Sequence, residues 1–542
     1  MKLLGQVADR AYTVKTLVET GIVRPQRPDR LVRVGLALHR WGPTLAAGAI
    51  TSAVRRPDQL AIIDELGTLT WQAVHERSNA LAAGLADAGI REGDGVAILC
   101  RNHRGFIDAT LACMKLGTTA LYLNTAFAAP QITDVVKREN PAALIYDQEF
   151  AGLTAEAGKR RKRFLAWTDS DSGNDAKAKD PRLDDLIAAG DRSDLVPPAN
   201  PGQVVILTSG TTGTPKGAHR KQPDSLDPIA GLFSKIPLRA GERTMIAAPM
   251  FHSWGMAHFS IGLALGSTMV LRRRFDPEDT VATTARYACS ALVVVPVMLQ
   301  RMLELPPEKI ARHDLSHLRI IAASGSALPG ELALKVMDRM GDVLYNLYGS
   351  TEVAWATIAT PEDLRAAPGT AGRPPRGTVV KLVDEHGAEV PQGATGRIFV
   401  GNELVFEGYT GGGNKQVLEG LMSSGDVGHF DAGGRLFVDG RDDEMIVSGG
   451  ENVFPREVED LLACRDDIQE VAVIGVDDDD FGQRLRAFVV PVPGTEPTGD
   501  ELKDHVKKNL ARFKVPREIV FLDELPRNAT GKVLKRELQA RD

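Results

Sequence analysis

The sequence predicts an α/β fold: a large amino-terminal domain of doubly wound sheets with a small β subdomain, followed by an α+β carboxy-terminal domain. The chain has 542 residues, too many for one hydrophobic core, so at least two domains are expected. Between residues 61 and 207, short β-branched runs alternate with helical stretches, which is typical of parallel sheets covered by helices. After Pro455 the pattern changes to a compact mixture of helices and strands.

The first domain is predicted from a regular succession of short elements. Residues 61–64 and 69–74 are typical of a strand pair that opens the domain. Further elements are predicted as strands 96–100, 119–123, 143–146 and 203–207 and helices 78–89, 106–116 and 132–138. Residues 169–200 are rich in Asp, Ser, Gly, Lys and Pro, which indicates a surface excursion.

The remainder of the chain continues the α/β pattern and then departs from it. The Gly-rich, alternating stretch 370–438 predicts the small β subdomain. The elements on either side are predicted as strands 292–296 and 318–323 with helix 297–305, and then as helices 456–464 and 499–510 with strands 470–475, 486–492 and 518–522.

Composition excludes several classes of protein. A net charge of −6 gives no indication of nucleic-acid binding. The four cysteines are scattered without a C-x-x-C pair, which predicts a reducing compartment and disfavours a disulfide framework or a zinc site. No apolar run approaches the roughly 18 residues of a membrane span, and the amino terminus lacks a secretory pattern. We therefore expect a cytoplasmic protein.

The first 56 residues differ in charge from the rest of the chain. They hold ten basic and three acidic residues, a local excess of +7. Residues 31–41 predict an amphipathic helix with arginines near its polar face. This basic arm is expected either to pack on the main domain, the commoner arrangement, or to attach peripherally to the anionic inner face of a membrane.

A polar loop is the strongest functional signal. It directly follows the predicted strand 203–207, contains nothing apolar, and combines glycines, hydroxyls and one lysine. Such a loop presents backbone N–H groups and a cation to a phosphate chain. It is not a Walker A loop, because Pro215 precedes the lysine. The candidate phosphate-binding residues are Thr208, Ser209, Gly210, Thr211, Thr212, Gly213, Thr214 and Lys216.

Two later segments carry groups suited to a nucleotide. Strand 318–323 runs into the small residues Gly325, Ser326 and Ala327, which leave room for a flat ring where open α/β sheets bind ligands. The string Tyr348-Gly349-Ser350-Thr351-Glu352 offers a stacking ring, a hydroxyl for a phosphate oxygen and a carboxylate for Mg²⁺.

These motifs, in this order, resemble those of the adenylate-forming enzymes, which include fatty acyl-CoA synthetases, peptide-synthetase adenylation domains and luciferases. The resemblance covers nearly the whole chain from about residue 50. It implies domains at 1–50 (basic arm), 51–440 (adenylation) and 441–542 (a mobile domain carrying the catalytic lysine), and it places adenine against Gly325, Ser326 and Ala327.

The resemblance implies roles for further residues. Asp426 and Arg441 hold the ribose, although Met422 and Ser424 replace the family's more usual residues. Asp443 is the hinge, and Gly449 and Gly450 line the pantetheine tunnel. His252 gates the acyl pocket, which Trp254 and Gly255 border. The implied catalytic residues are Lys532, Glu352, Thr351 and His252.

The implied activity is an ATP-dependent fatty acid–CoA ligase that uses ATP, Mg²⁺ and coenzyme A. A carboxylate and ATP give acyl-AMP and pyrophosphate, and the acyl-AMP then reacts with a thiol. Ten residues follow Lys532, so a diffusible acceptor is expected rather than a fused carrier. Four alternatives stay open: an acyl-AMP ligase that serves a carrier protein, a CoA ligase for an aryl or sterol-side-chain acid, a luciferase-type oxidoreductase, and a nucleotide-binding protein without catalysis. Oligomeric state is undetermined.

Overall fold

The computed structural model describes residues 2–169, 180–208, 216–220, 227–404, 406–409, 415–448, 451–478, 482–528 and 531–541. The chain divides into two compact units. The first contains Met1–Ala323 and Glu403–Asn414, and the second contains Ser324–Asn402 and Lys415–Asp542. The domain boundaries inferred above stay predictions.

The first unit begins with three helices and then alternates strands with helices. Its helices are α1 (Lys2–Glu19), α2 (Pro28–Trp41), α3 (Leu45–Arg55), α4 (Trp71–Asp87), α5 (Arg104–Leu116), α6 (Ala129–Glu139), α7 (Ala151–Thr154), α8 (Leu183–Ala189), α9 (Asp227–Lys235), α10 (Ser253–Leu265), α11 (Pro277–Arg286), α12 (Pro296–Leu303) and α13 (Pro307–Ala311). Its strands are β1 (Leu60–Asp64), β2 (Gly67–Thr70), β3 (Gly95–Leu99), β4 (Thr119–Tyr122), β5 (Ala143–Asp147), β6 (Lys162–Trp167), β7 (Gln203–Thr208), β8 (Lys216–Arg220), β9 (Arg243–Ile246), β10 (Thr268–Leu271), β11 (Ala291–Val294), β12 (Ile320–Ala323) and β17 (Phe406–Tyr409).

These strands form two sheets, as expected for a doubly wound arrangement. One runs in the order β12–β11–β9–β10–β1–β2 and is parallel except for the β1–β2 hairpin. The other runs β17–β8–β7–β4–β3–β5–β6, and its strands from β7 to β6 are parallel. The inner strands are near-continuous apolar runs with buried side chains, because helices cover parallel sheets on both faces.

One predicted element is wrong in part. Residues 69–74 are not a single strand, because β2 ends at Thr70 and α4 begins at Trp71. The Thr70 hydroxyl accepts a hydrogen bond from the Ala73 backbone N–H at 3.2 Å and caps the helix. The β-branched and aromatic residues of this stretch favour a strand, and the cap overrides that preference.

The second unit contains two separate sheets and a hairpin. Its strands are β13 (Leu344–Tyr348), β14 (Thr357–Ala359), β15 (Val379–Val383), β16 (Gly396–Gly401), β18 (Val417–Leu418), β19 (Leu421–Phe430), β20 (Leu436–Arg441), β21 (Ile446–Ser448), β22 (Glu451–Val453), β23 (Ile468–Asp478), β24 (Gly482–Pro491) and β25 (Glu518–Phe521). Its helices are α14 (Gly330–Met340), α15 (Pro361–Ala366), α16 (Pro455–Ala463), α17 (Gly499–Asn509) and α18 (Lys535–Gln539).

Each sheet of the second unit has its own role in the fold. The order β15–β16–β19–β18, with β20 on β19, is antiparallel and corresponds to the predicted β subdomain. The second sheet has the order β22–β21–β24–β23, with β25 parallel to β24. It packs its apolar face on α16 and α17. The core of that α+β unit is built from Val458, Leu462, Val473, Leu485, Val489, Leu502 and Val506.

Candidate active site

The predicted phosphate loop is closed by a β hairpin. Thr208, the last residue of β7, pairs with Lys216, the first residue of β8, in an antiparallel register. Residues 209–215 lie outside the described residues. The prediction that Lys216 lies within the loop is wrong, because its backbone belongs to strand β8. The two ends of the loop are therefore held together at the carboxyl end of β7, a position typical of ligand sites in open α/β sheets.

An aromatic cluster lies at the start of α10. His252 precedes the helix as its amino-terminal flanking residue, while Trp254 and Gly255 lie in the first helical turn. The indole N–H of Trp254 donates to the carbonyls of Val294 at 3.2 Å and Ala322 at 3.3 Å. The ring therefore links helix α10 to the carboxyl ends of strands β11 and β12.

The aromatic cluster is apolar and uncharged at neutral pH. The ring of His258 lies edge-on to Trp254, with ring centroids 4.5 Å apart. Burial lowers the pKa of His258 to about 3 and that of His252 to about 4, because charged imidazolium is poorly solvated there. A Cβ on Gly255 would lie 2.2 Å from the Pro249 carbonyl oxygen, so only glycine allows this close approach.

In the second unit, the expected adenine-binding residues form a short loop. Gly325 has a φ of +98°, a conformation that favours glycine, while Ser326 is partly buried and Ala327 exposed. The loop presents small side chains and accessible backbone, as a planar ring requires. Its role in binding adenine stays a prediction.

The segment after β13 is a tight turn that carries Thr351 and Glu352. The Ser350 hydroxyl accepts hydrogen bonds from the backbone N–H groups of Glu352 at 3.2 Å and Val353 at 3.3 Å. A Cβ on Gly349 would lie 2.1 Å from the Ala354 carbonyl oxygen, so this position also requires glycine. The turn carries a hydroxyl and a carboxylate on adjacent residues, Thr351 and Glu352, and hard oxygen ligands such as a carboxylate fit Mg²⁺ beside a phosphate.

Tyr348 and Asp426 are joined directly although 78 residues separate them. The Tyr348 hydroxyl donates to Asp426 Oδ2 at 2.5 Å and lies 3.2 Å from the Ser424 hydroxyl. Arg441 Nη1 donates to Asp426 Oδ1 at 3.1 Å. These residues, Tyr348, Ser424, Asp426 and Arg441, are called the nucleotide cluster below.

Strand pairing brings the nucleotide cluster together. Asp426 and Arg441 are cross-strand partners in β19 and β20, and Gly425, at a φ of +81°, turns the backbone just before the carboxylate. The Ser424 hydroxyl accepts from the Asp426 backbone N–H at 3.1 Å and donates to the Ile398 carbonyl at 3.2 Å. The serine that stands in place of the family's usual residue thus keeps a supporting hydrogen bond.

Burial and charge act in opposite directions on Asp426. Burial raises the pKa of its carboxyl, whereas Arg441, the Tyr348 hydroxyl and the positive charge of Lys532 lower it. Burial and the adjacent carboxylate raise the pKa of Tyr348, so its hydroxyl stays protonated and donates. Among the groups named, Arg441 lowers the pKa of Asp426 most and Lys532 least.

Lys532 is held by a compact turn. Its backbone N–H donates to Asn528 Oδ1 at 2.9 Å, and its carbonyl accepts from the Asn528 N–H at 2.9 Å. Arg527 donates to the Gly531 carbonyl at 2.6 Å and pairs with Glu470 at 2.9 Å. The side chain of Lys532 is exposed while its backbone is fixed, which suits a cation presented to a bound ligand.

A second lysine ties this turn to the rest of the α+β unit. Lys535, at the start of α18, bridges Glu444 and Glu459, each at 3.1 Å. The predicted hinge residue Asp443 lies beside Glu444 in the short 3-10 helix Asp442–Glu444. Gly449 and Gly450 lie outside the described residues, so their predicted place in a pantetheine tunnel stays a prediction.

The sequence patterns missed two basic residues near the site, Lys415 and Lys535. Lys415 Nζ and Arg441 Nη2 lie 3.3 and 3.2 Å from the position a Cβ on Gly425 would occupy, so both cations flank the turn before Asp426. Lys415 follows the Gly-rich run 411–413 and Lys535 follows Val533-Leu534, but neither pattern was assigned a function, so the three-dimensional contacts identify them.

A buried group of metal-ligand type elsewhere has a structural explanation. Cys100, His103 and Asp147 lie within 4.8 Å of one another. His103 Nε2 bonds Asp147 Oδ1 at 2.8 Å, and His103 Nδ1 accepts from the Gly105 N–H at 3.0 Å. Both imidazole nitrogens are therefore occupied, and His103 caps α5 instead of presenting a free ligand atom.

Comparison with known proteins agrees with this arrangement. A family model described as AMP-binding enzyme matches residues 50–410, and one described as AMP-binding enzyme C-terminal domain matches residues 457–532. A feruloyl-CoA synthase from an Amycolatopsis species is 32% identical over 503 residues, which are 92% of this chain and 99% of the relative. The fatty acid–[acyl-carrier-protein] ligase ScoC of Streptomyces coeruleorubidus is 29% identical over 517 residues, 92% and 96% of the two chains.

A solved structure has the same fold. It is the anthranilate CoA ligase AuaEII in complex with anthranoyl-AMP, which superposes with a TM-score of 0.81 at 25% identity and covers 92% of this chain and 96% of that one. The fold and site define the class of two-step, adenylate-forming acid–CoA ligases. The chain belongs to the AMP-binding enzyme family. ATP, Mg²⁺ and coenzyme A, the usual requirements of such ligases, agree with the expected cofactors.

Proposed function

We propose that this chain joins an apolar, ring-bearing monocarboxylic acid to coenzyme A through an acyl-AMP intermediate. The observation that carries the proposal is the hydrogen-bonded cluster of Tyr348, Asp426 and Arg441, in a chain that matches the AMP-binding enzyme family over residues 50–410 and 457–532. A carboxylate held by defined hydrogen bonds, which we assign to the ribose, and an exposed lysine, Lys532, are groups that suit an adenylation step.

In the first half-reaction, a carboxylate oxygen attacks the α-phosphorus of ATP and pyrophosphate leaves. Both reactants are anions, so positioning and charge stabilisation supply the catalysis. Asp426 and Arg441 hold the ribose, and Lys532 stabilises the negative charge that develops at the α-phosphate and the carboxylate. Glu352 would supply a carboxylate oxygen to Mg²⁺, which would offset phosphate charge when bound, and the Thr351 hydroxyl would bind a phosphate oxygen.

In the second half-reaction, the sulfur of coenzyme A attacks the acyl carbonyl and AMP leaves. AMP is a good leaving group, so this step does not need the cation that adenylation needs. Lys532 would occupy the space required by the thiol. A rotation about the backbone near Asp443 would withdraw it, and the contacts of Lys535 with Glu444 and Glu459 would move with it.

The acid is proposed from the aromatic cluster and from the relatives. Trp254 and His258 are buried, and the imidazoles of His252 and His258 are neutral at pH 7. The aromatic cluster therefore presents no charge to a second polar group on the substrate. The names of the feruloyl-CoA synthase and the anthranilate CoA ligase describe ring-bearing acids. A medium- or long-chain fatty acid is the second candidate, favoured by similarity to ScoC, whose name also describes a carrier-protein acceptor.

The test is a pyrophosphate-release panel on the whole protein. Ferulate, anthranilate, indoleacetate, octanoate, dodecanoate and hexadecanoate are compared, with coenzyme A, with a phosphopantetheinyl carrier protein, and with neither. We expect the highest kcat/KM for a ring-bearing acid and a thioester with coenzyme A. Faster turnover of dodecanoate by tenfold or more would favour the second candidate. Absence of AMP formation with every acid, in a preparation shown to be folded by thermal melting, would contradict the proposed activity.

A further inference from the structure

The connection between α1 and α2 borders an open cavity lined by arginines. Its volume is about 600 Å³ and its lining residues are Arg24, Pro25, Gln26, Arg27, Arg30 and Arg55. In the described part of the chain, the ion pair recorded for these arginines is Arg27 with Asp29, at 3.1 Å on the surface. Four guanidinium groups therefore face one cavity with a single carboxylate beside them.

Hydrogen bonds to backbone carbonyls orient two of these guanidinium groups, those of Arg30 and Arg55, without neutralising their charge. Arg30 Nη1 donates to the Arg55 carbonyl at 2.9 Å, and Arg55 Nη2 donates to the Ala264 carbonyl at 2.8 Å. Neighbouring Arg56 has two buried nitrogens, Nε and Nη2, without a hydrogen-bond partner. Burial and the nearby charges of Arg24 and Arg55 lower the pKa of Arg56 to about 10. An anion bound here would relieve this repulsion.

Helix α2, which follows the cavity directly, exposes an apolar stripe. Leu31, Val32, Leu36 and Leu38 are 51%, 62%, 55% and 47% exposed, while Ala37 is buried. Successive residues of a helix are 100° apart, so these four side chains lie on one broad face together with Gly35 and His39, whereas Ala37 and Arg30 lie outside it. In the part of the chain that the structure describes, large exposed apolar side chains are otherwise dispersed, apart from Val14 and Val18 on α1 and Val23 just after it.

We propose that the arginine cavity binds the phosphate headgroup of an anionic phospholipid, and that the apolar stripe of α2 lies in the surface of the same membrane. The cavity supplies clustered cations suited to a phosphate, and the adjoining helix supplies the apolar face that interfacial helices insert at the headgroup boundary. The chain is acidic overall, at −6, yet residues 1–56 carry +7, so the arm alone is complementary to an anionic surface.

The helix lies on the membrane rather than crossing it. Helix α2 has 14 residues, too short for the hydrocarbon core of a bilayer. None of the described helices has the length and apolar character needed to cross a membrane. Attachment would therefore be reversible and sensitive to salt, as for other peripheral proteins with basic clusters.

The test is flotation of the full-length protein with vesicles of phosphatidylcholine alone or with 30% phosphatidylglycerol, at low and high salt. We expect binding only to the anionic vesicles and loss of binding at about 0.5 M salt. The double variant Arg24→Ala/Arg27→Ala should weaken binding about 30-fold, at about fivefold per arginine. Val32→Ser/Leu36→Ser should weaken it at least about tenfold by removing inserted apolar surface.

Matched controls separate the arm from general surface effects. Arg160→Ala/Arg301→Ala removes two exposed arginines elsewhere, and Leu66→Ser/Val196→Ser changes two exposed apolar residues that are 56% and 78% exposed. Both should bind as the unaltered protein does. Pyrophosphate release with a water-soluble acid should be unchanged in all four variants, so failure of vesicle binding leaves the proposed ligase activity standing.

Three outcomes would overturn the proposal. Equal binding to neutral and anionic vesicles would exclude headgroup recognition. Tight binding of inositol hexakisphosphate with no vesicle binding, abolished by Arg24→Ala/Arg27→Ala, would assign the cavity to a soluble phosphorylated ligand. A concentration-dependent dimer that Val32→Ser/Leu36→Ser dissociates, without vesicle binding, would assign the stripe to a second copy of this chain.

Discussion

The nucleotide cluster and the aromatic cluster of His252, Trp254 and His258 are built on different physical principles. In the first, side chains are joined by hydrogen bonds at defined distances, as in the bonds of Asp426 to Tyr348 and Arg441. In the second, contacts are mainly apolar, and His258 Nε2 is buried without a hydrogen-bond partner. A polar site specifies its ligand through directional groups, whereas an apolar one specifies shape and volume.

This difference explains why the chemistry is easier to infer than the acid. Hydrogen-bonding side chains can be replaced by few others, so a nucleotide site leaves a legible pattern of residue types. Apolar pockets of different shape use the same small set of side chains. Variants in the nucleotide cluster should therefore affect all acids alike, and variants in the aromatic cluster should change the ranking of acids.

The largest expected effect is that of Lys532→Ala. Removing one preorganised cation should lower the rate of acyl-AMP formation about 100- to 1,000-fold for every acid. Thioester formation from supplied acyl-AMP should stay within about threefold, because AMP leaves without help from the cation. Single-turnover assays of each half-reaction measure this, with Lys508→Ala on the exposed face of α17 as control. Equal loss in both halves would contradict the assigned role of Lys532.

Asp426→Asn should have the next largest effect. The substitution keeps the shape but removes the negative charge opposite Arg441 and the strong acceptor for the ribose hydroxyls. Because hydrogen bonds to charged groups are stronger, the KM for ATP should rise about 10- to 100-fold for all acids. Steady-state kinetics with two acids measure this, and Asp431→Asn, at a surface pair with Arg435, is the control. A rise that depended on the acid would place Asp426 outside the nucleotide site.

Trp254→Phe should change specificity with little effect on ATP. The variant loses the indole N–H that bonds the carbonyls of Val294 and Ala322, and it leaves space beside His258. The ratio of kcat/KM between a ring-bearing and a straight-chain acid should shift about tenfold, the scale of small volume changes in apolar pockets. Competition between two acids measures the ratio, and Trp41→Phe on α2 is the matched control. An unchanged ratio would remove Trp254 from the acid pocket.

The smallest expected effect is on the pH dependence of stability. The pKa values of His252 and His258, about 4 and about 3, lie below the usual 6.5, so the unfolded chain binds protons first as the pH falls. Above about pH 6.5 both imidazoles are neutral in the folded and the unfolded chain. Below it, protonation of the unfolded chain lowers the free energy of unfolding progressively toward pH 4. Urea unfolding between pH 4.5 and 7.5 should show a shallower slope for His258→Asn, and no change for exposed His386→Asn. An unchanged slope in His258→Asn would show that this imidazole is not held neutral.

Much of the fold follows from the sequence because the parallel strands are short apolar runs bounded by turns. The strand before the phosphate loop and the amphipathic helix α2 are confirmed, with α2 beginning at Pro28. The errors arise where two local preferences compete. Residues 71–74 have strand-forming side chains but follow a threonine cap, and Lys216 follows a Gly/Thr loop but is paired to Thr208.

The candidate site could be predicted only in part. The residue types of Tyr348, Asp426, Arg441 and Lys532 were found in order. Their contacts, however, depend on the register of β19 with β20 and on packing between Tyr348 and Asp426, which are 78 residues apart. Spacing along the chain carries no information on such register. Lys415 and Lys535 were missed because a single lysine in a polar stretch looks like any surface lysine until its neighbours are known.

The bridge made by Lys535 has a consequence for the order of events in catalysis. Because Lys535 joins the base of the Lys532 turn to Glu444 and to α16, Lys532 has no independent swing of its own beyond that of its side chain. Any backbone rotation at Asp443 displaces the whole α+β assembly and the ammonium group together. Adenylation and thiol transfer would then occur one after the other and never together. A higher kcat would require a faster rotation rather than a more reactive lysine.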